Sequence, residues 1–125
     1  MAAIVHLAVV AVHGLAHLAL GVLPESAADW IFIGAVIYLA PAAVIFLGRA
    51  VRGRVAAALC LVGLAGSLAY GFHHHFVAIS VDHVDHLPAG GAWAQVFRVT
   101  AIGQALIDLA GAGVASWALV RGGAG

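Results

Sequence analysis

Long apolar runs alternate with short polar stretches along the whole chain. Four apolar segments follow one another, at about residues 3–22, 30–47, 55–81 and 93–120. Each is long enough to cross a bilayer, because a helix needs roughly 17 to 25 apolar residues to span about 30 Å of hydrocarbon. The pattern therefore predicts an all-α fold, an integral membrane four-helix bundle.

The connections between these segments are short and contain residues that break helices. They lie at about residues 23–26, 48–54 and 87–92. Short connections join neighbouring antiparallel helices, so we expect an up-down bundle. No internal repeat divides the chain, and residues 1–125 are therefore expected to form a single transmembrane domain.

The composition supports a membrane location and excludes some partners. Of the 125 residues, 65% are hydrophobic and 8% are charged, and the mean hydropathy is +1.14. A water-soluble domain of this size cannot hide so much apolar surface. The formal net charge is zero, so the chain has no basic field to attract nucleic acid. We expect the lipid bilayer as a partner, and no nucleic acid.

The arginines predict the orientation of the bundle. One side carries four of them, Arg49, Arg52, Arg54 and Arg121. Basic residues concentrate on the cytoplasmic side of a membrane, so we expect both termini to be cytoplasmic. The membrane itself is expected to be the inner or plasma membrane of the cell. The first and third connections then lie outside. Arg98 also lies toward the outside, where it is a candidate partner for Asp82 or Asp85.

Histidines and acids concentrate around the third connection. The stretch GFHHHFVAISVDHVDHLP, residues 71–88, contains five of the eight histidines. Gly63, Ser67 and Gly71 form a row of small residues that lets helices approach closely. His75 continues this row, by a small margin over His74, and His73 turns away from it. We therefore expect His75 to face inward.

Two further polar stripes lie on the first and fourth predicted helices. His6, His13 and His17 fall within roughly 40° of one another on a helix, beside Gly14. Thr100, Gln104 and Asp108 recur at four-residue spacing, and a buried ionisable group in a membrane needs a partner. The candidate intramembrane polar groups are His6, His13, Gln104 and Asp108.

Depth along the helices predicts which polar groups meet. Counting about 1.5 Å per residue from the outer ends gives layers at roughly 9, 15 and 23 Å. These layers pair His17 with His75, His13 with Gln104, and His6 with Asp108. Asp108 reaches His13 instead if the fourth helix extends further out of the membrane.

The histidines and carboxylates indicate a metal site on the extracytoplasmic side. Imidazole and carboxylate ligands without thiolate or thioether suit Zn²⁺, Fe, Mn²⁺, Ni²⁺ or Cu²⁺. The candidate metal ligands are His13, His17, His75, Asp82, His83, Asp85 and His86. We hypothesise a metal-handling or redox accessory component, working as a homo-oligomer or in a larger membrane complex.

Several alternatives to this function stay open. Haem b could bind between His17 and either His74 or His75, because membrane bundles hold haem between histidines of two helices. The polar layers could instead serve a proton or cation transporter subunit, or only stabilise a structural accessory subunit. HGLAH, HHH and DHVDH are loosely similar to the histidine boxes of membrane di-iron desaturases and hydroxylases, with different spacings. The pattern does not decide whether the chain is an enzyme.

Overall fold

The computed structural model describes residues 1–47, 50, 53–88 and 90–121. These residues form four helices and no strand: α1 (Ala2–Leu20), α2 (Ala27–Leu47), α3 (Gly53–Val77) and α4 (Ala92–Arg121). All four are long and apolar enough to cross a membrane. The all-α fold and the four apolar helices predicted from the sequence are therefore confirmed. Arg49, Arg52 and Ala89 lie outside the described residues, and the sidedness inferred from the arginines stays a prediction.

The four helices form a ring in which sequence neighbours are also neighbours in space. α4 packs against α3 and α1, and α2 packs against α3 and α1, while α1 and α3 have few contacts with each other. The small residues explain how the backbones approach. A Cβ added at Gly63 would lie 2.6 Å from Pro41 Cγ, and one at Gly14 would lie 3.0 Å from the Tyr38 hydroxyl. The predicted close approaches at Gly14 and Gly63 are thus present.

Two helices contain a wider π-helical segment. In α2 the segment is Ile33–Leu39, which ends two residues before Pro41. In α3 it is His73–Val77, at the end of the helix. A π segment holds one extra residue per turn and often occurs at functional sites. Each segment carries a group of the polar interior, which is the Ile37 carbonyl in α2 and the His75 side chain in α3.

Helix α3 ends earlier than its apolar sequence predicts. The expected end was residue 81, but the helix stops at Val77 and Ala78 is extended. The Ala78 N–H bonds to the His73 carbonyl at 2.7 Å, and the Val84 N–H returns to the His75 carbonyl at 3.0 Å. Residues 78–88 therefore fold back over the helix end. The start of α2 is also earlier than predicted, because Ser26 caps the helix by accepting from the Asp29 N–H at 3.1 Å.

Arg98 fixes this returning connection and corrects one expectation. Its guanidinium donates to the carbonyl oxygens of Val84, Leu87 and Pro88 at 3.1 to 3.3 Å. The expected ion pair with an acidic side chain of the connection is absent among the described residues. Arg98 bonds to backbone carbonyls instead, because Leu87 is buried in the core and its carbonyl lies within reach of the guanidinium. Leu87 packs there against Ala16, Ala94, Phe97 and Ala101.

Candidate metal centre

Three histidines from two helices converge inside one end of the bundle. His13 Nε2 lies 3.1 Å from His75 Nε2 and 3.2 Å from His17 Nε2. The three side chains offer ligand atoms that all lie within 4.8 Å of one another. His13 and His75 are each 6% exposed, and Phe97 packs against all three rings. We call His13, His17 and His75 the histidine cluster.

The other ring nitrogen of each histidine faces a hydrogen-bond acceptor. His17 Nδ1 lies 2.6 Å from the carbonyl oxygen of Val22, and His75 Nδ1 lies 3.2 Å from that of Asp82. A carbonyl oxygen can only accept, so both Nδ1 atoms donate. These two imidazoles therefore carry their proton on Nδ1, away from the centre of the cluster.

The third histidine follows the same arrangement through a threonine. His13 Nδ1 lies 2.8 Å from Thr100 Oγ1. The Thr100 hydroxyl lies 2.7 Å from the Val96 carbonyl and donates to it, so the threonine oxygen accepts from His13. His13 is thus also protonated on Nδ1.

Together these protons leave three lone pairs facing one another. A neutral imidazole protonated on Nδ1 has an unprotonated Nε2, and His13 Nε2 lies 3.1 Å from that of His75 and 3.2 Å from that of His17. Such an arrangement is repulsive unless a metal ion or an added proton lies between the Nε2 atoms. Two nitrogens bound at about 2.0 to 2.1 Å to one tetrahedral Zn²⁺ lie about 3.3 Å apart, close to the separations found here. Hydrogen-bonded Nδ1–H groups are also what orients most histidine ligands of metals.

Local backbone features position His17 and His75. Gly21 ends α1 in the left-handed conformation, with φ of 69°, which glycine adopts without strain. The turn brings Val22 back over the helix end, where its N–H bonds to the His17 carbonyl at 3.1 Å and its carbonyl accepts from the His17 ring. His75 lies in the π-helical end of α3 and is held by the returning connection at Asp82.

Asp82 adds a negative charge beside the histidine cluster. Its Oδ2 lies 3.4 Å from His75 Nδ1. Burial by itself would raise the pKa of the Asp82 carboxyl, but hydrogen bonds with His75 and Ser80 outweigh burial and lower the pKa to about 2. Asp82 is therefore a carboxylate at neutral pH, placed to orient His75 from the Nδ1 side.

Four of the residues predicted to bind a metal or haem lie away from the cluster. His74 is partly buried and packs on Tyr70, with ring centroids 4.2 Å apart. His83 and His86 pack on each other, with ring centroids 5.0 Å apart, and the Asp85 N–H donates to His83 Nδ1. Within the part of the chain that the structure describes, the histidine cluster is the one group of three or more metal-ligating side chains. The expected inward position of His75, rather than His74, is confirmed by burial.

A second polar group lies deeper in the bundle. His6 and Asp108 are fully buried, and His6 Nδ1 lies 2.6 Å from Asp108 Oδ1. His6 Nε2 donates to the Ile37 carbonyl at 2.9 Å. Pro41 explains why that carbonyl is free, because proline has no N–H to bond to the carbonyl four residues earlier. The pair of His6 and Asp108 predicted from the depth count is confirmed.

The middle layer predicted from depth is wrong. His13 was expected beside Gln104, but its partners are Thr100, His17 and His75. The imidazoles of His13 and His17 both reach the same point because residues four apart on a helix lie one above the other. Gln104 Nε2 instead donates to Ser67 Oγ at 2.8 Å.

A water-sized cavity lies beside the deep pair. It has a volume of about 20 Å³, and Ser67, Gln104, Asp108 and His75 line part of it. Gln104 Oε1 and Asp108 Oδ2 are buried there without a hydrogen-bond partner among the described residues. A space of this size and polarity fits one water molecule, which could donate a hydrogen bond to each oxygen.

A larger cavity opens directly from the histidine cluster. Its volume is about 480 Å³, and all three cluster histidines line it. Its walls are mainly apolar, and the apolar side chains come from α1, α2 and the first connection, with Val10, Leu15, Leu18, Leu23, Ile33 and Ile37 among them. Tyr38 and Tyr70 add two hydroxyls. The histidine cluster is therefore reachable from a space large enough for a small molecule.

Sequence reasoning missed several residues that complete the site. Thr100 stood out only as part of a polar stripe, and nothing in the sequence pairs it with His13. The Val22 carbonyl carries no side-chain signal, and Phe97 looks like an ordinary apolar helix residue.

Comparison of the chain with protein-family models, with curated proteins and with solved structures gave no match.

Proposed function

We propose that this chain is a small membrane protein that binds one divalent transition-metal ion through His13, His17 and His75. The observation that supports the proposal most is the set of three Nδ1–H donors, which leaves three unprotonated Nε2 atoms, with that of His13 3.1 Å and 3.2 Å from the other two. Imidazole ligands suit zinc, copper, nickel and iron, whereas manganese prefers carboxylate. We therefore favour Zn²⁺, Cu²⁺, Ni²⁺ or Fe²⁺ over Mn²⁺.

Three protein ligands leave one position of a tetrahedral ion free. Closed structural zinc sites have four protein ligands, whereas sites that react or exchange ligands have three. The free position faces the large cavity, because the three histidines also line it. This arrangement favours a metal-handling or redox accessory component over a purely structural role. By the arginine distribution we place the site on the extracytoplasmic side, in a homo-oligomer or a larger membrane complex.

A bare ion fits the histidine cluster better than haem b. Two axial imidazoles bind haem iron from opposite faces of a flat macrocycle. His17 and His75 have ring centroids 5.4 Å apart, and the ring of His13 lies within 5 Å of both. The third imidazole therefore stands where the macrocycle would have to pass.

Metal analysis of the purified protein tests the proposal. We expect wild-type protein in detergent to bind one Zn²⁺ or Co²⁺ per chain, without a Soret band. His13→Ala should weaken the binding by about one to several kcal/mol, because it removes one of three ligands. His73→Ala is the control, since His73 is an exposed histidine on the end of α3 that also carries His75, and it should bind like wild type. Wild-type protein that binds no stoichiometric metal would refute the proposal.

A proton relay is the second candidate function. It is supported by the buried oxygens of Gln104 and Asp108, which face a water-sized cavity that His75 also lines. A water there would extend the pair of His6 and Asp108 toward the histidine cluster. Proton movement across reconstituted vesicles should then fall in Asp108→Asn, with the fold retained. If proton flux is equal in vesicles with wild type, in vesicles with Asp108→Asn and in empty vesicles, the relay is contradicted and Asp108 has only a structural role.

A further inference from the structure

The free position of the proposed ion faces a cavity with a defined chemical character. The cavity of about 480 Å³ is within the roughly 300 to 1,000 Å³ that small-molecule sites occupy. Its polar lining comes from the three imidazoles, Asp82, Tyr38, Ser67, Tyr70 and Gln104, and most of the remaining wall is aliphatic. A ligand that fills this space needs an apolar body and one polar head that lies at the ion.

The charges around the ion favour an anionic head. Three neutral imidazoles leave both positive charges of a divalent ion uncompensated. Asp82 supplies one negative charge, but its carboxylate lies at the Nδ1 side of His75, 3.4 Å from that atom, and not on the Nε2 side. One positive charge therefore remains at the end of an apolar cavity, where a charge without a partner is costly.

The cavity wall indicates how a ligand would arrive. Leu15, Leu18 and Trp30 line the cavity and are 55%, 62% and 50% exposed. These side chains lie on helices apolar enough to span a membrane, so in a bilayer their exposed surfaces would meet the acyl chains of lipids. A molecule dissolved in the bilayer would reach the cavity between α1 and α2 without crossing water.

From these observations we infer that the cavity binds a fatty-acid-like carboxylate, whose head group is the fourth ligand of the ion and whose chain fills the apolar part. Carboxylate oxygen is an ordinary ligand of zinc at about 2.0 to 2.2 Å. The inference rests on the proposed metal site, since without the ion the histidine cluster has no charge to attract the head group.

Co²⁺-loaded protein in a non-ionic detergent tests the inference, because the visible bands of Co²⁺ change when its ligands change. Adding decanoate should shift these bands, and the shift should saturate at one decanoate per chain. 1-Decanol has the same chain without the charge, and it should leave the bands unchanged.

A cavity-filling variant separates the cavity from the ion. Ala11 lines the cavity and is exposed, so Ala11→Trp should fill the space without burying a polar group. We expect decanoate affinity to fall about tenfold or more, with Co²⁺ affinity unchanged. Ala8→Trp is the matched control, because Ala8 is an exposed alanine of the same helix and does not line the cavity. It should bind decanoate like wild type.

The outcomes distinguish the inference from the proposed function. If Co²⁺ binds but its visible bands do not change at high decanoate concentration, the inference is overturned and the proposed metal site is retained. Equal decanoate affinity in Ala11→Trp and wild type would also overturn it, because the chain would then lie elsewhere. Wild-type protein that binds no Co²⁺ would overturn both.

Discussion

At the scale of single residues, the position of protons decides what the histidines can do. A histidine in a membrane helix commonly serves as an interhelical hydrogen-bonding group. Here each Nδ1–H is satisfied by a separate acceptor, Val22, Asp82 or Thr100. The Nε2 atoms therefore remain available to bind one ion between them. The metal proposal thus depends on the hydrogen bonds at Nδ1.

Replacing Thr100 tests the contribution of one such acceptor. Thr100→Val keeps the shape of the side chain but removes the oxygen that accepts from His13. We expect metal affinity to fall about 10- to 100-fold, the usual effect of losing a partner behind a metal ligand. Thr100→Ser keeps the hydroxyl and should bind nearly as wild type. A competition titration with a metal-binding dye measures this, and equal affinity of the valine and serine variants would contradict the expectation.

The deep pair makes a second prediction at this scale. His6 Nε2 donates to the Ile37 carbonyl, so His6 Nδ1 and Asp108 share one further proton between them. His6→Ala and Asp108→Asn should each destabilise the bundle, while the double variant should cost less than their sum by about 0.5 to 3 kcal/mol. Denaturant unfolding in detergent measures all four proteins.

A parallel cycle supplies the control for this pair. His13 has no hydrogen bond with Asp108, since its partners are Thr100, His17 and His75. His13→Ala and Asp108→Asn should therefore add within about 0.5 kcal/mol. Strict additivity in the His6 cycle would show that the short contact between His6 and Asp108 contributes no coupling energy.

At the scale of helices, interruptions of regular geometry build the polar interior. Pro41 frees the carbonyl that His6 uses, and the π-helical segment before it widens α2. The π-helical end of α3 carries His75. The apolar residues that follow it would otherwise continue α3 as a regular helix. Gly21 ends α1 so that the chain returns to His17. The apolar parts of the helices supply the scaffold on which these interruptions act.

The contact between α2 and α3 gives a prediction at this scale. Gly63→Ala would place a methyl group 2.6 Å from Pro41 Cγ and 2.8 Å from Pro41 Cδ. The proline ring is rigid, so the helices must separate, and we expect a loss of about 1 to 3 kcal/mol in the free energy of unfolding. Gly103→Ala is the control, because nothing lies within 4 Å of its new methyl group. It should be neutral or slightly stabilising, and equal effects of the two changes would contradict the close contact.

At the scale of the whole molecule, orientation in the membrane decides which compartment the site faces. The positive-inside rule predicts that the second connection is cytoplasmic and that the first and third are outside. Cysteine placed at Ser26 or Gly90, in a Cys60→Ala background, should react with an impermeant reagent added to intact cells. Cysteine at Ala50 should react only after the membrane is opened. The reverse pattern would put the histidine cluster on the cytoplasmic side.

The sequence by itself determined the class of the fold and the relative depth of the outer and the deep polar groups. Four apolar segments are enough to predict four membrane-length helices, because hydrogen bonding in lipid leaves few other structures for them. The helical rise placed His6 level with Asp108 and His17 level with His75, and the small-residue row put His75 inside. These properties depend on position along one helix, which spacing in the chain records.

Only the tertiary structure decided which groups share a site. His13 joins His17 and His75, while His83 and His86 stay apart, because the returning connection turns Asp82 toward His75 and leaves His83 half-buried and His86 exposed. The acceptors behind the rings include two backbone carbonyls, and every residue has one, so no residue type marks them in advance. Contacts between helices and the directions of carbonyls depend on how the helices pack and end, and that is set by all their side chains together.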